Sequence, residues 1–165
     1  MDKVIHCSTR VKCDTQQAFE MFTDNDLLPT WLPNLAEIEP RVGGKYELFW
    51  NPNDKKSNST IGCKVTAIEP NRLIAFEWKG PTEFQGFMNK ADPLTHVVVI
   101  FVDCSESSEQ FTEVHLVHSG WRRSAAWEKA RKYFEKAWNH ALKKLRAVIR
   151  EKGQKDSNMA WSYII

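Results

Sequence analysis

Residues 124–153 read SAAWEKARKYFEKAWNHALKKLRAVIREKG. Trp127, Ala130, Phe134, Ala137, Trp138, Ala141, Leu142, Leu145 and Val148 recur at three- and four-residue steps. Lys129, Lys132, Glu135, Lys136, Lys143 and Lys144 occupy most of the intervening positions. Such spacing places the first set along one side of an α-helix and the charges on the other. The stretch therefore predicts one long amphipathic helix whose apolar side carries unusually large rings. Rings of that size need a broad surface to lie against.

The preceding chain supplies it. Ile5, Cys7, Thr9 and Val11 alternate with His6, Ser8 and Arg10, which predicts a first strand over 3–12. Asp14 or Thr15 then caps a short helix containing Ala18, Phe19 and Phe22, and a second short helix or turn runs over 25–32 with Trp31 at its end. Gly43-Gly44 marks a tight turn before a strand carrying Tyr46, Leu48 and Trp50. Further strands follow around Ile61–Ala67, Ile74–Trp78, Leu94–Cys104 and Gln110–Ser119. Short strands joined by turns, without long crossovers, form an antiparallel sheet. The expected fold is α+β: a curved antiparallel sheet wrapped around a long carboxy-terminal helix, with two short helices after the first strand. It forms one domain over 1–153, followed by a tail over 154–165.

Seven tryptophans and 42% hydrophobic residues in 165 are ample for one core. A net charge of +2 argues against a nucleic-acid surface, since glutamates interrupt the basic residues of the last helix. Met1-Asp2-Lys3 lacks an apolar leader, and the longest apolar run, Val97 to Val102, is too short to cross a bilayer. Cys7, Cys13, Cys63 and Cys104 are scattered without a CxxC pair, which favours free thiols. Together these features predict a cytoplasmic domain without membrane insertion. The histidines show no metal-ligand spacing, so neither metal nor cofactor is expected.

Five pieces carry a resemblance: Phe19 to Trp31, the RVGGKY turn and strand at 41–46, Arg72 to Trp78, VHLVHSG at 114–120, and YFEKAWNHALKKL at 133–145. In that order, over roughly residues 3 to 150, they resemble the helix-grip superfamily of START lipid-transfer domains and the birch pollen allergen. Within it the chain is most similar to the family named after the activator of the heat-shock-protein-90 ATPase. The resemblance implies a cavity between sheet and long helix that often holds a small apolar molecule. It also implies, as an alternative, a co-chaperone-like module that stimulates a chaperone ATPase. Superfamily relatives include hydrolases and cyclases, which makes an enzyme using the same cavity a third reading.

The leading expectation is a non-enzymatic protein binding a small apolar or aromatic ligand, lined by Trp31, Trp78, Phe87, His118, Phe134 and Trp138. His118 shares the inward parity of Val114 and Leu116 and can orient a polar ligand end or hold the strand-to-helix corner. No second group is spaced to make it catalytic, since Ser119 points to the opposite face. Phe84, Phe87 and Met88, in the segment 81–93, either pack down or gate the entrance. Val97–Val102 is apolar on both faces, so its outer side needs a cover. Met159, Ala160, Trp161, Tyr163, Ile164 and Ile165 predict a tail that docks on its own domain or on a neighbouring subunit. Monomer and homodimer both remain open.

Overall fold

Two-residue alternation decides which way each strand faces. In the computed structural model, which describes residues 2–162, β1 (Ile5–Val11) buries Ile5, Cys7 and Val11 and exposes His6, Ser8 and Arg10. Asp14, three residues past the strand, starts α1 (Thr15–Thr23) through a reciprocal cap. The Gln17 amide donates to Asp14 Oδ1 at 2.8 Å, and the Asp14 amide donates to Gln17 Oε1 at 3.3 Å. A single 3₁₀ turn, Leu28–Thr30, carries Pro29 where its missing N–H costs nothing.

β2 (Leu35–Ile38) and β3 (Tyr46–Phe49) pair as a small antiparallel sheet. β4 (Val65–Glu69), β5 (Leu73–Trp78), β6 (Thr95–Asp103) and β7 (Thr112–Ser119) join β1 in a larger one, ordered β1-β7-β6-β5-β4, every pair antiparallel. Backbone bonds outside the regular ladders connect the two. The Gly43 amide donates to Val65 O at 2.8 Å, Val65 N to Gly44 O at 2.8 Å, and Tyr46 N to Cys63 O at 2.9 Å. This junction explains the glycine pair: Gly43 has φ +79°, and a Cβ on Gly44 would lie 2.3 Å from Glu39 O. A register irregularity between Val65 and Ala67 lies beside the same junction.

α3 (Ala125–Ser162) crosses the inner face of the sheet, burying Ala130, Phe134, Trp138, Ala141, Leu142, Leu145 and Ile149 in the main core. Its start is capped by Ser124, whose Oγ accepts from Trp127 N at 3.2 Å. Between β5 and β6 a single helical turn, α2 (Gln85–Met88), buries Met88 completely, and Phe84 just before it is also buried.

Two features differ from the sequence reading. β2 escaped it, because Pro33 and a four-residue length hide the alternation of Leu35–Ile38. The long helix continues through Gly153 instead of ending there. One interior glycine costs only about 1 kcal/mol relative to alanine, and Lys152, Gln154 and Lys155 are good helix formers. Residues 154–162 are therefore exposed helix, with Met159 and Trp161 at 58% and 66% accessibility. Tyr163, Ile164 and Ile165 lie outside the described residues. On the outer side of β6, Ile100 is 37% and Val102 45% accessible within this chain.

Tyr46 ties the small sheet to the helical entry. It is fully buried, stacks on Phe76 with centroids 3.7 Å apart, and donates its hydroxyl to Phe22 O at 2.8 Å. Tyr46→Phe leaves that buried carbonyl unpaired and is expected to cost about 1–3 kcal/mol in urea unfolding at an unchanged m-value. An unaltered midpoint would show that the bond contributes nothing.

Candidate functional site

Ring-bearing residues at the two- and 3.6-residue periods meet where β5 passes beneath α3. Trp78 closes β5 and Trp50 follows β3; their rings pack edge to face with centroids 6.1 Å apart. From the helix, Trp138 approaches Trp78 at 4.9 Å and Phe134 at 6.4 Å. These rings do not close the space between them. A cavity of about 510 Å³ remains, walled by Trp31, Trp50, Trp78, Phe134 and Trp138 with Leu32, Ala137 and Ala141. Its exposed lining residues, Asn58, Tyr133, His140 and Lys144, mark the mouth, and Lys79, Gly80 and Pro81 form the opposite lip. The volume falls within the roughly 300–1,000 Å³ usual for small-molecule sites.

Ala137 and Ala141 leave room that larger side chains on the same helix face would fill. Trp31 is held in place by its indole N–H, which donates to Met21 O at 2.9 Å. Trp78 is different. It is 3% accessible, and its indole N–H is the sole buried side-chain polar atom without a partner among the described residues. Its neighbours are ring systems, which accept hydrogen bonds weakly. An unmet buried donor costs about 1–3 kcal/mol.

His118 lies behind this wall, fully buried. The Trp138 indole N–H donates to His118 Nδ1 at 3.0 Å, and a tryptophan N–H can only donate, so Nδ1 carries no proton. The ring proton is therefore on Nε2, which donates to Thr95 Oγ1 at 3.0 Å. That hydroxyl faces Trp78 O at 3.4 Å, and His118 O accepts from the Trp121 indole at 3.0 Å. Both ring nitrogens are thus occupied by protein. Burial holds the ring well below the usual histidine range, at about 3, with His96 a lesser influence. The arrangement is a brace between sheet and helix, with no free lone pair for acid–base work.

Of the six residues expected from sequence, Trp31, Trp78, Phe134 and Trp138 are brought together around the cavity. His118 and Phe87 are not in its lining. Phe87 packs on Trp127 at 5.1 Å and on Phe84 at 6.1 Å, in a satellite cluster that also holds Tyr133. Trp50, turned inward by its parity with Tyr46 and Leu48, also walls the cavity, whereas Tyr133, Lys79, His140 and Lys144 join the site unforeseen. These four are polar or rim residues whose signal is indistinguishable from any exposed side chain.

Buried thiols contribute no reactive group. Burial pushes Cys13 and Cys63 up to about 12, and Cys7 is also raised, chiefly by burial. No group of three or more His, Cys, Asp and Glu that could hold a metal ion occurs among the described residues, and no described helix is long and apolar enough to cross a membrane.

A family model described as "Activator of Hsp90 ATPase homolog 1-like protein" matches residues 12–150. No curated protein matches the chain. Among solved structures, a protein of Mesorhizobium loti superposes with a TM-score of 0.69 at 15% identity, covering 90% of this chain and 98% of its own. The Aha1 dimer from Colwellia psychrerythraea gives 0.63 at 18% identity, covering 89% and 96%. The AHSA1-like protein of Rhizobium etli gives 0.62 at 18% identity, covering 90% and 82%. At these identities the likeness is one of fold.

The His118 brace has a pH signature. Unfolded histidine titrates near about 6.5 and the buried ring at about 3. Between those values the unfolded chain binds the extra proton, so stability rises with pH across the window and is lost as pH falls through it. His118→Gln keeps one donor and one acceptor but cannot titrate. Its unfolding free energy, followed between about pH 4 and 6, should lose a slope equivalent to about one proton relative to the parent. Equal slopes would mean that the ring is not held neutral.

Proposed function

The chain belongs to the activator of Hsp90 ATPase homolog 1-like family, and we propose that it binds a small, largely apolar or aromatic molecule in the cavity between sheet and long helix. The observation that carries this reading is the unfilled space of about 510 Å³ walled by five large rings. A core built only for stability would close it, since each square ångström of apolar surface kept from water contributes about 25 cal/mol. Trp31, Trp78, Phe134 and Trp138 serve as walls in this reading. His118 acts from behind by fixing Trp138, and Phe87 acts by bracing the Trp127 cluster that precedes Phe134 on α3.

A second reading rests on the family itself. A co-chaperone-like module would act through its outer surface, where Ile100 and Val102 stand exposed, and the Colwellia relative is described as a dimer. Its discriminating measurement is the ATP turnover of a purified heat-shock chaperone with and without this chain. An unchanged rate removes that reading and leaves the cavity reading intact.

For the ligand reading, native mass spectrometry of freshly purified protein should show a small-molecule adduct and, in the same spectrum, the subunit number. Ala137→Trp places an indole in the cavity from a half-buried helix position. The adduct should disappear while the helical circular dichroism is retained. A parent protein that carries no adduct and takes up no aromatic probe would sink the proposal.

A further inference from the structure

The signs of the charges around the cavity are one-sided. The chain as a whole is nearly balanced, with 23 Lys and Arg against 21 Asp and Glu, yet no aspartate or glutamate lines this cavity. Lys79, His140 and Lys144 do. His140 and Lys144 stand one turn apart on α3, next to the small Ala137 and Ala141 that open the space below them. Lys79 stands on the opposite lip, just beyond β5, its Nζ donating to Ile61 O at 2.5 Å. Among the described residues neither Lys79 nor Lys144 has a carboxylate within ion-pair distance. The larger cleft between the β6–β7 turn and the end of α3 is unlike this one. There Arg10, Lys12, Arg146 and Arg150 are offset by Glu106 and Glu109, and Lys12 lies 3.9 Å from Glu109.

We propose that the guest of the ring-walled cavity is an organic anion, with an aromatic or aliphatic body against Trp50, Trp78 and Trp138 and a carboxylate or sulfonate at the Lys79–His140–Lys144 rim. This rests on the cavity being a binding site, and it narrows the ligand class. The rim selects by sign. An anionic head meets two lysines and no repelling carboxylate, while a cationic head meets like charge and no partner. The apolar walls contribute affinity for any ring, and the rim decides between rings that are otherwise alike.

Two probes that share one aromatic body separate the terms: anilinonaphthalene sulfonate and its uncharged parent, N-phenylnaphthylamine. Equilibrium dialysis against the full chain measures both. Lys144 is exposed, so Lys144→Gln and Lys144→Glu leave the fold intact. The first should weaken the sulfonate by about three- to tenfold, and the second by more, as a unit charge at contact distance in a wet environment implies. The uncharged parent should bind both variants as it binds the original protein. Ala137→Trp should abolish binding of both probes, which locates them in the cavity. If the uncharged probe binds while the sulfonate does not, or if the Lys144 variants leave the sulfonate unmoved, the anion proposal is overturned and the cavity reading stands. If neither probe binds, both fall together.

Discussion

One hydrogen bond between helix and sheet sets the terms for the rest: the Trp138 indole N–H donating to Nδ1 of His118. It fixes the rotation of the long helix, because a tryptophan one position along would face away from β7. It dictates the tautomer of a fully buried imidazole and, through Thr95, reaches the carbonyl of Trp78 on the second strand away. Two aromatic side chains, one hydroxyl and a main-chain carbonyl thus hold each other in place in a region shielded from solvent. Losing one partner strands another, which is why such chains specify a single arrangement. The cavity lies on the far side of this rigid wall, and its shape follows from the wall's.

Periodicity made the architecture readable. The three- and four-residue recurrence from Trp127 to Val148 and the alternation in β1, β5, β6 and β7 are strong signals, each produced by burial of one face. β2 was illegible, since four residues hold too little alternation to stand out beside Pro33. The helix end was misjudged because glycine is a frequent stop signal whose energetic weight is small enough for neighbours to override. Parity correctly turned His118 inward but could not say that two indoles and a threonine would consume its hydrogen-bonding capacity. That depends on which strands and helix happen to be adjacent, a property of the assembled fold.

The rim shows the same limit from another side. Lys79 and Lys144 are sixty-five positions apart in sequence, and nothing in either neighbourhood sets it apart from the other lysines. Their juxtaposition exists only because β5 ends beneath the third turn of α3's ring-bearing face. Family membership fixes this scaffold, and the side chains at its mouth are where members sharing one fold can diverge in what they hold.

Six of the seven indoles in this chain are buried or half-buried, and all six belong to the walls of the cavity or the cluster beside it, while Trp161 stands in water on the helix extension. Indoles this close exchange excitation faster than they emit. Light absorbed anywhere in the network therefore migrates to whichever ring offers the lowest-energy exit, and a guest touching Trp50, Trp78 or Trp138 would dim or shift the emission of rings it never meets. The solitary Trp161 would shine unchanged at longer wavelength, giving the molecule both an optical sensor and its own internal standard.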